Sequence, residues 1–125
     1  MRILIADDHP IVRHGLKQML ANDPSATVVG EATNGDEALA LARKVDWDMA
    51  IFDFSMPGRS GLDLLGDMKK EFPGRPVLIL SMHSEDVHGS RVLRGGAAGY
   101  ITKDSAPQEL STAVRKVANE GLRER

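Results

Sequence analysis

Two short apolar runs in this chain each end in carboxylates. Met49-Ala50-Ile51-Phe52 is closed by Asp53 and followed at once by Phe54-Ser55-Met56-Pro57-Gly58, while Arg2-Ile3-Leu4-Ile5-Ala6 runs into Asp7-Asp8. Apolar segments bounded by turn residues read as buried strands, and a carboxylate placed at such an end is costly unless it is paired or has a task. Three carboxylates converging within a few ångströms would repel by roughly 4 kcal/mol per close pair at an effective dielectric near 20. Something cationic must live among them. Hard oxygen donors, with no His or Cys at the strand ends, favour Mg²⁺, which takes one or two carboxylates together with carbonyls and waters. Lys103 supplies a second positive charge from the far side. A metal and an ammonium flanking a carboxylate are what phosphoryl transfer onto that carboxylate requires, because catalysis there is mainly positioning and charge neutralisation. Asp53 needs no general base, since an ordinary aspartate is already ionised at neutral pH.

The elements that must position these groups alternate from one end of the chain to the other. Pro10 suits the first turn of a helix in which Ile11, Val12, Leu16, Met19 and Leu20 recur at helical spacing. Ala26 to Gly30 reads as a second strand, and Asn34-Gly35-Asp36-Glu37 as a cap with acidic residues ahead of Leu39, Leu41 and Ala42. Trp47 anchors the start of the strand that ends at Asp53. Ser60 with Asp63 resembles a capping box before Leu62, Leu65, Met68 and Phe72, and Pro73-Gly74 stops that helix. Val77-Leu78-Ile79-Leu80, ending in Ser81, is the continuous apolar run of a strand covered on both faces. A weakly patterned helix is expected from about Glu85 to Arg94, broken by Gly95-Gly96. A fifth strand follows over Ala97 to Ile101, then Thr102-Lys103-Asp104. Ser105 with Gln108 caps a last helix that buries Leu110, Ala113, Val114 and Val117.

Five strand-helix units in strict alternation imply a parallel sheet with helices on both faces, since right-handed crossovers place them there. The chain is too short for an eight-unit barrel. In such open sheets ligands sit at the carboxyl ends of the strands, and Asp7, Asp8, Asp53, Ser81 and Lys103 all fall at those ends.

Composition narrows the function classes. The 125 residues suit one domain, and with 16 basic against 18 acidic side chains the net charge of -2 offers no polycationic surface for nucleic acid. Cysteine is absent, which removes disulfides and thiol chemistry. The apolar start is cut at Asp7, too early for a signal-peptide core, and no run reaches membrane-spanning length. A soluble, cytoplasmic protein without membrane contact is the expectation.

At the residues Asp7-Asp8, Asp53 with Met56-Pro57-Gly58, Ser81, and Gly99-Tyr100-Ile101-Thr102-Lys103, the chain resembles the receiver domain of a two-component response regulator over essentially its whole length. The resemblance implies a flavodoxin-like, doubly wound (βα)5 fold with strand order 2-1-3-4-5. It implies that Asp53 accepts phosphate from a sensor histidine kinase, and that Asp8, Asp53 and the Ser55 backbone carbonyl bind Mg²⁺, with Asp7 contacting it through water. Ser81 would bond the phosphoryl oxygen, Lys103 would pair with it, and Tyr100 would be the aromatic that reorients inward. Such a protein is not an enzyme beyond its own phosphorylation and dephosphorylation, and homodimerisation on phosphorylation is expected. The wording Ala6-Asp7-Asp8-His9-Pro10, Ser81-Met82-His83 and Lys103-Asp104-Ser105 is similar to receivers fused to LuxR-type helix-turn-helix domains. Residues 1–120 are then the receiver and 121–125 the start of a linker to a DNA-binding domain outside these residues. Two departures stand out: Asp104 follows the lysine where many receivers have a cis proline, and Met82 is bulkier than the small residue many place after the switch hydroxyl.

Plainer roles compete for each residue. Asp8 could cap the first helix, Asp53 could be a turn residue, Ser81 could satisfy a strand end, and Tyr100 could be core packing. His83 and His88 read as surface residues, and Arg91 and Arg94 as a solvated or partner-facing edge. Other functions fit less well. An aspartyl-nucleophile phosphohydrolase usually has a second Asp two residues after the first, where this chain has Ser55. A flavin or dinucleotide carrier wants a glycine- or hydroxyl-rich phosphate loop, where Asp8-His9-Pro10 repels phosphate. A stand-alone regulator acting through protein contacts is the alternative to a transcription factor.

Overall fold

The computed structural model describes residues 1–81, 93–103 and 106–123, with side chains as far as Val117 in the last segment. Five parallel strands, β1 (Arg2–Ala6), β2 (Thr27–Ala32), β3 (Met49–Asp53), β4 (Val77–Ser81) and β5 (Gly99–Thr102), form one sheet in the order β2-β1-β3-β4-β5. The described helices are α1 (Pro10–Ala21), α2 (Gly35–Lys44), α3 (Gly61–Glu71) and α4 (Ala106–Arg123). This is the doubly wound order expected from the sequence.

Strand alternation divides the core into two layers. Leu4, Ala6, Ala50, Phe52, Val77 and Ile79 face one side and pack with Ala38, Leu39, Leu64, Leu65 and Met68 of α2 and α3. Ile3, Ile5, Met49, Ile51, Leu78 and Leu80 face the other and pack with Leu16 and Leu20 of α1 and Leu110, Val114 and Val117 of α4. All ten residues of β3 and β4 are buried, which is why these strands read as continuous apolar runs rather than alternating ones. Each fully buried Leu, Ile or Phe contributes about 1.5–3 kcal/mol of transfer free energy.

Local signals set the boundaries. Asn34 caps α2, its side chain accepting the Glu37 N–H at 2.8 Å, and Ser60 caps α3 by accepting the Asp63 N–H at 3.1 Å. Trp47 is buried, donates its indole N–H to the Ala42 carbonyl at 3.1 Å and meets Phe72 edge-on at 5.3 Å between ring centroids. The Arg75 guanidinium covers both rings at 5.0 and 5.2 Å. This aromatic cluster closes the end of the sheet opposite the carboxylates.

Three sequence expectations need adjustment. The second strand runs two residues further than Gly30, to Ala32. The fifth begins at Gly99 rather than Ala97, because Gly96 at φ +103 turns the chain just before it. Ile11 is 86% exposed although its spacing placed it in the buried stripe; Val12, Leu16, Met19 and Leu20 turn inward instead. The last helix runs through Arg123. The segment Glu85 to Arg94 lies outside the described residues except for Leu93 and Arg94, which are helical. Met82, His83, His88, Arg91, Ser105 and the peptide after Lys103 lie outside them too. No helix among the described residues is long and apolar enough to cross a membrane.

Candidate functional site

The alternation that builds the core also aims the site. Ile3 and Ile5 point toward α1 and α4, so the same parity sends Asp7 that way; Met49 and Ile51 do so for Asp53, and Ile101 for Lys103. The three side chains meet. Lys103 Nζ lies 3.0 Å from Asp7 Oδ2 and 3.4 Å from Asp53 Oδ2. Asp7 and Asp53 are buried to 0% and 1% exposure, and the lysine side chain is 12% exposed. Ser81 and Tyr100 have the opposite parity, toward α2 and α3. Ser81 is buried at the end of β4, its carbonyl accepting the Lys103 N–H at 2.7 Å, and Tyr100 is half-buried against the α2/α3 layer.

Burial, then the like charge of Asp7, push the Asp53 carboxyl above the ordinary aspartate range; Lys103 and the Ser55 N–H pull the other way without offsetting them. The Ser55 amide lies 3.3 Å from Asp53 Oδ1, so the backbone of the following loop comes directly beside the carboxylate. That loop is held at both ends. Phe54 N–H donates to Leu80 O at 2.7 Å, Gly61 N–H donates to Phe54 O at 3.0 Å, and Met56 is buried. Gly58 adopts φ +79 at the turn, and at Gly61 a Cβ would stand 2.5 Å from the Phe54 carbonyl oxygen, so only glycine permits this approach. Arg59 then ties the loop to both flanking helices through ion pairs with Asp36 and Asp67.

Asp8 does not cap α1. The residue at the cap is His9, extended at φ -101 and ψ 113, with no side-chain cap bond. Asp7 Oδ1 instead accepts the His9 N–H at 2.8 Å, and the His9 ring Nδ1 lies 3.0 Å from Asp7 Oδ1 and 3.1 Å from Asp8 Oδ1. One donor atom from each of Asp7, Asp8, His9 and Asp53 lies within 4.8 Å of all the others. The sequence reading named only oxygen donors and passed over His9, whose ring nitrogen stands among them and whose place directly after the paired aspartates was the available signal. It also passed over Arg59, whose role depends on helices that only the fold brings together.

The residues fit a divalent cation. Among the described residues the buried oxygens Asp7 Oδ2 and Asp8 Oδ1 have no hydrogen-bond partner, and the carboxylates of Asp7 and Asp53 share the ammonium of Lys103. Asp7, Asp8 and Asp53 each bring a carboxylate oxygen to this cluster, and the Ser55 N–H lies beside Asp53. Beside them a cleft of about 280 Å³, lined by His9, Pro10, Ile11, Val12 and Lys103, opens next to the lysine.

The family described as response regulator receiver domain matches residues 3–115. The nitrate/nitrite response regulator NarL of Escherichia coli is 42% identical over 118 residues, covering 93% of this chain and 54% of that protein. A solved two-component response regulator of the LuxR family from Aurantimonas superposes with a TM-score of 0.88 at 34% identity, over 93% of this chain and 83% of that one. RcsB from Salmonella enterica serovar Typhimurium, solved bound to the promoter rprA in the presence of the phosphomimetic BeF3⁻, superposes with a TM-score of 0.87 at 33% identity, over 93% and 67%. The chain spans about half the length of the curated relatives it matches.

Proposed function

This chain belongs to the response regulator receiver family, among the LuxR-type two-component regulators, and from that membership we propose that Asp53 is its phosphoacceptor. The observation that carries the proposal is a buried carboxylate at the end of a central strand with an ammonium 3.4 Å from one oxygen. A phosphohistidine of a sensor kinase is the donor. An Asp53 oxygen attacks phosphorus, a new O–P bond forms as the N–P bond breaks, and the imidazole leaves with the bonding pair. The Ser55 N–H holds Oδ1, which leaves Oδ2, beside Lys103, for the attack.

Asp8, Asp53 and the Ser55 carbonyl would hold Mg²⁺, with Asp7 contacting it through water. When bound, that ion supplies charge neutralisation for the phosphoryl oxygens. Lys103 pairs with the incoming phosphoryl group, leaving Asp7 to be compensated by the metal shell. The Ser81 hydroxyl bonds a phosphoryl oxygen, and Tyr100, on the same face of the sheet, follows its movement. Phosphorylation shifts an existing equilibrium around β5 toward a homodimer. The protein catalyses only its own phosphorylation and dephosphorylation.

Residues 1–120 act as the receiver and 121–125 begin the connection to a helix-turn-helix DNA-binding domain, a reading supported by the half-length match and by the promoter-bound relative. The site of action is the cytoplasm.

Incubation with acetyl phosphate or phosphoramidate and Mg²⁺, read by intact mass, tests the acceptor. One phosphoryl group should add to the parent and none to Asp53→Asn. Full modification of Asp53→Asn would sink the proposal.

A further inference from the structure

The His9 imidazole is the donor in this cluster that the phosphoacceptor chemistry leaves without a task. Its Nδ1 lies 3.0 and 3.1 Å from one oxygen each of Asp7 and Asp8. For metal–ligand bonds of about 2.1 Å, neighbouring donors of an octahedral ion stand about 3.0 Å apart and opposite donors about 4.2 Å. The ring nitrogen stands at the spacing of a neighbouring ligand from two carboxylates, which is also hydrogen-bond distance, and the four donors fall within 4.8 Å, a span that a shared ion would draw in to about 4.2 Å. The backbone fixes this placement. The bond from the His9 N–H to Asp7 Oδ1 folds the chain back over the end of β1, just before Pro10 starts α1.

A second observation points to a ligand. Asp7 is wholly buried, yet among the described residues its Oδ2 makes no hydrogen bond, and the buried Asp8 Oδ1 makes none either. Lys103 sits 3.0 Å from the first of these oxygens as a charge partner without an aligned N–H. A cation shared by ring and carboxylates would satisfy both oxygens together.

We infer that His9 Nδ1 is an inner ligand of the metal centre, so that the site takes borderline divalent ions such as Zn²⁺ or Co²⁺ more tightly than Mg²⁺. The inference rests on the metal-binding receiver reading above. Its chemical basis is donor type: carboxylate and carbonyl oxygens suit Mg²⁺, whereas a neutral imidazole suits zinc and its neighbours. A metal on Nδ1 takes that nitrogen's lone pair, so in the bound form the ring proton sits on Nε2, and the 58% exposed side chain leaves it open to solvent.

The test titrates the whole 125-residue chain with Zn²⁺ and with Mg²⁺ by calorimetry, for the parent, His9→Ala, His9→Phe and Asp53→Asn. The ¹⁵N resonances of labelled histidine are followed alongside. Zn²⁺ affinity should fall tenfold or more in both His9 variants while Mg²⁺ affinity changes less than twofold. The His9 Nδ1 resonance should move to the metal-bound position, with Nε2 protonated. His9→Phe keeps a ring in place without the lone pair, so it separates donation from packing. Equal losses for both ions, unchanged Zn²⁺ affinity, or an unmoved Nδ1 resonance overturns the inference and leaves the proposed function standing. Undiminished Mg²⁺ binding by Asp53→Asn would instead overturn the metal-centre reading itself.

Discussion

Lys103 stands nearer to Asp7 than to Asp53: its ammonium is 3.0 Å from one and 3.4 Å from the other. Among the described residues a single ammonium therefore compensates two buried carboxylates. Removing one partner from a buried charged set leaves the others uncompensated, at a cost of about 3–5 kcal/mol. Lys103→Met should lower the urea midpoint in chelator by an amount on the order of 3 kcal/mol. Saturating Mg²⁺ should return part of that loss. An unchanged midpoint in chelator would mean that the lysine does not neutralise the pair.

Asp53→Asn should act in the opposite direction. Burial and Asp7 raise the Asp53 carboxyl above its ordinary range, so the folded state holds its proton more firmly than the unfolded chain does. A raised carboxyl favours folding fully below the unfolded aspartate range, and that contribution is lost as pH rises through the folded value. At pH 7 the ionised group is a net burden on the metal-free fold. Thermal scans in chelator should place Asp53→Asn above the parent by a few degrees, corresponding to about 1 kcal/mol. The gap should close as pH is lowered into the carboxylate range, and a gap that widened in acid would contradict the assigned sign.

Two glycines on one helix should respond oppositely to alanine. At Gly61 the new methyl would meet the Phe54 carbonyl oxygen, Cα and carbonyl carbon at 2.5–2.9 Å, all of them backbone. Gly61→Ala should cost on the order of 2 kcal/mol and weaken Mg²⁺ binding, because the displaced loop carries Ser55. Gly66 has nothing within 4 Å and lies inside α3. Gly66→Ala should raise stability by roughly 0.5–1 kcal/mol through helix propensity. Urea unfolding of both variants with a Mg²⁺ titration checks the pair.

Ile11→Ser should leave the unfolding midpoint within about 0.5 kcal/mol of the parent, because an 86% exposed side chain has little packing to lose. A loss near that of a buried isoleucine would restore the sequence's placement of Ile11 in the core.

Beryllofluoride with Mg²⁺ should raise the apparent mass of the parent in sedimentation. Asp53→Asn should not respond. A constant mass across a wide concentration range would argue against dimerisation as the output.

The legible parts of this protein are those governed by period and punctuation. Residues 49–53 and 77–80 declared buried strands because both faces of each are covered, and Asn34 and Ser60 declared helix starts because their side chains accept an amide three residues on. Asp7, Asp53 and Lys103 could be placed at strand ends because parity continues past the last residue of each strand. Ile11 was misplaced because its spacing suits either of two helix faces, and the choice is made by how α1 seats on the sheet. His9 was passed over because its nearness to Asp7 depends on a backbone bend at the strand–helix junction that hydrophobic period does not encode.

The sheet order has a consequence for how long the apo ion pair persists. Asp7 directly follows β1 and Asp53 ends β3, strands with a neighbour on either side, whereas Lys103 follows β5, a four-residue strand paired on one side only. Amide hydrogens of β1 and β3 should exchange with solvent only when the whole domain opens, while those of β5 should exchange through a smaller, more frequent opening. Each such opening would carry the ammonium away from two aspartates that remain fixed. The countercharge is therefore renewed on the timescale of an edge strand, and a bound divalent ion should slow exchange in β5 most of all.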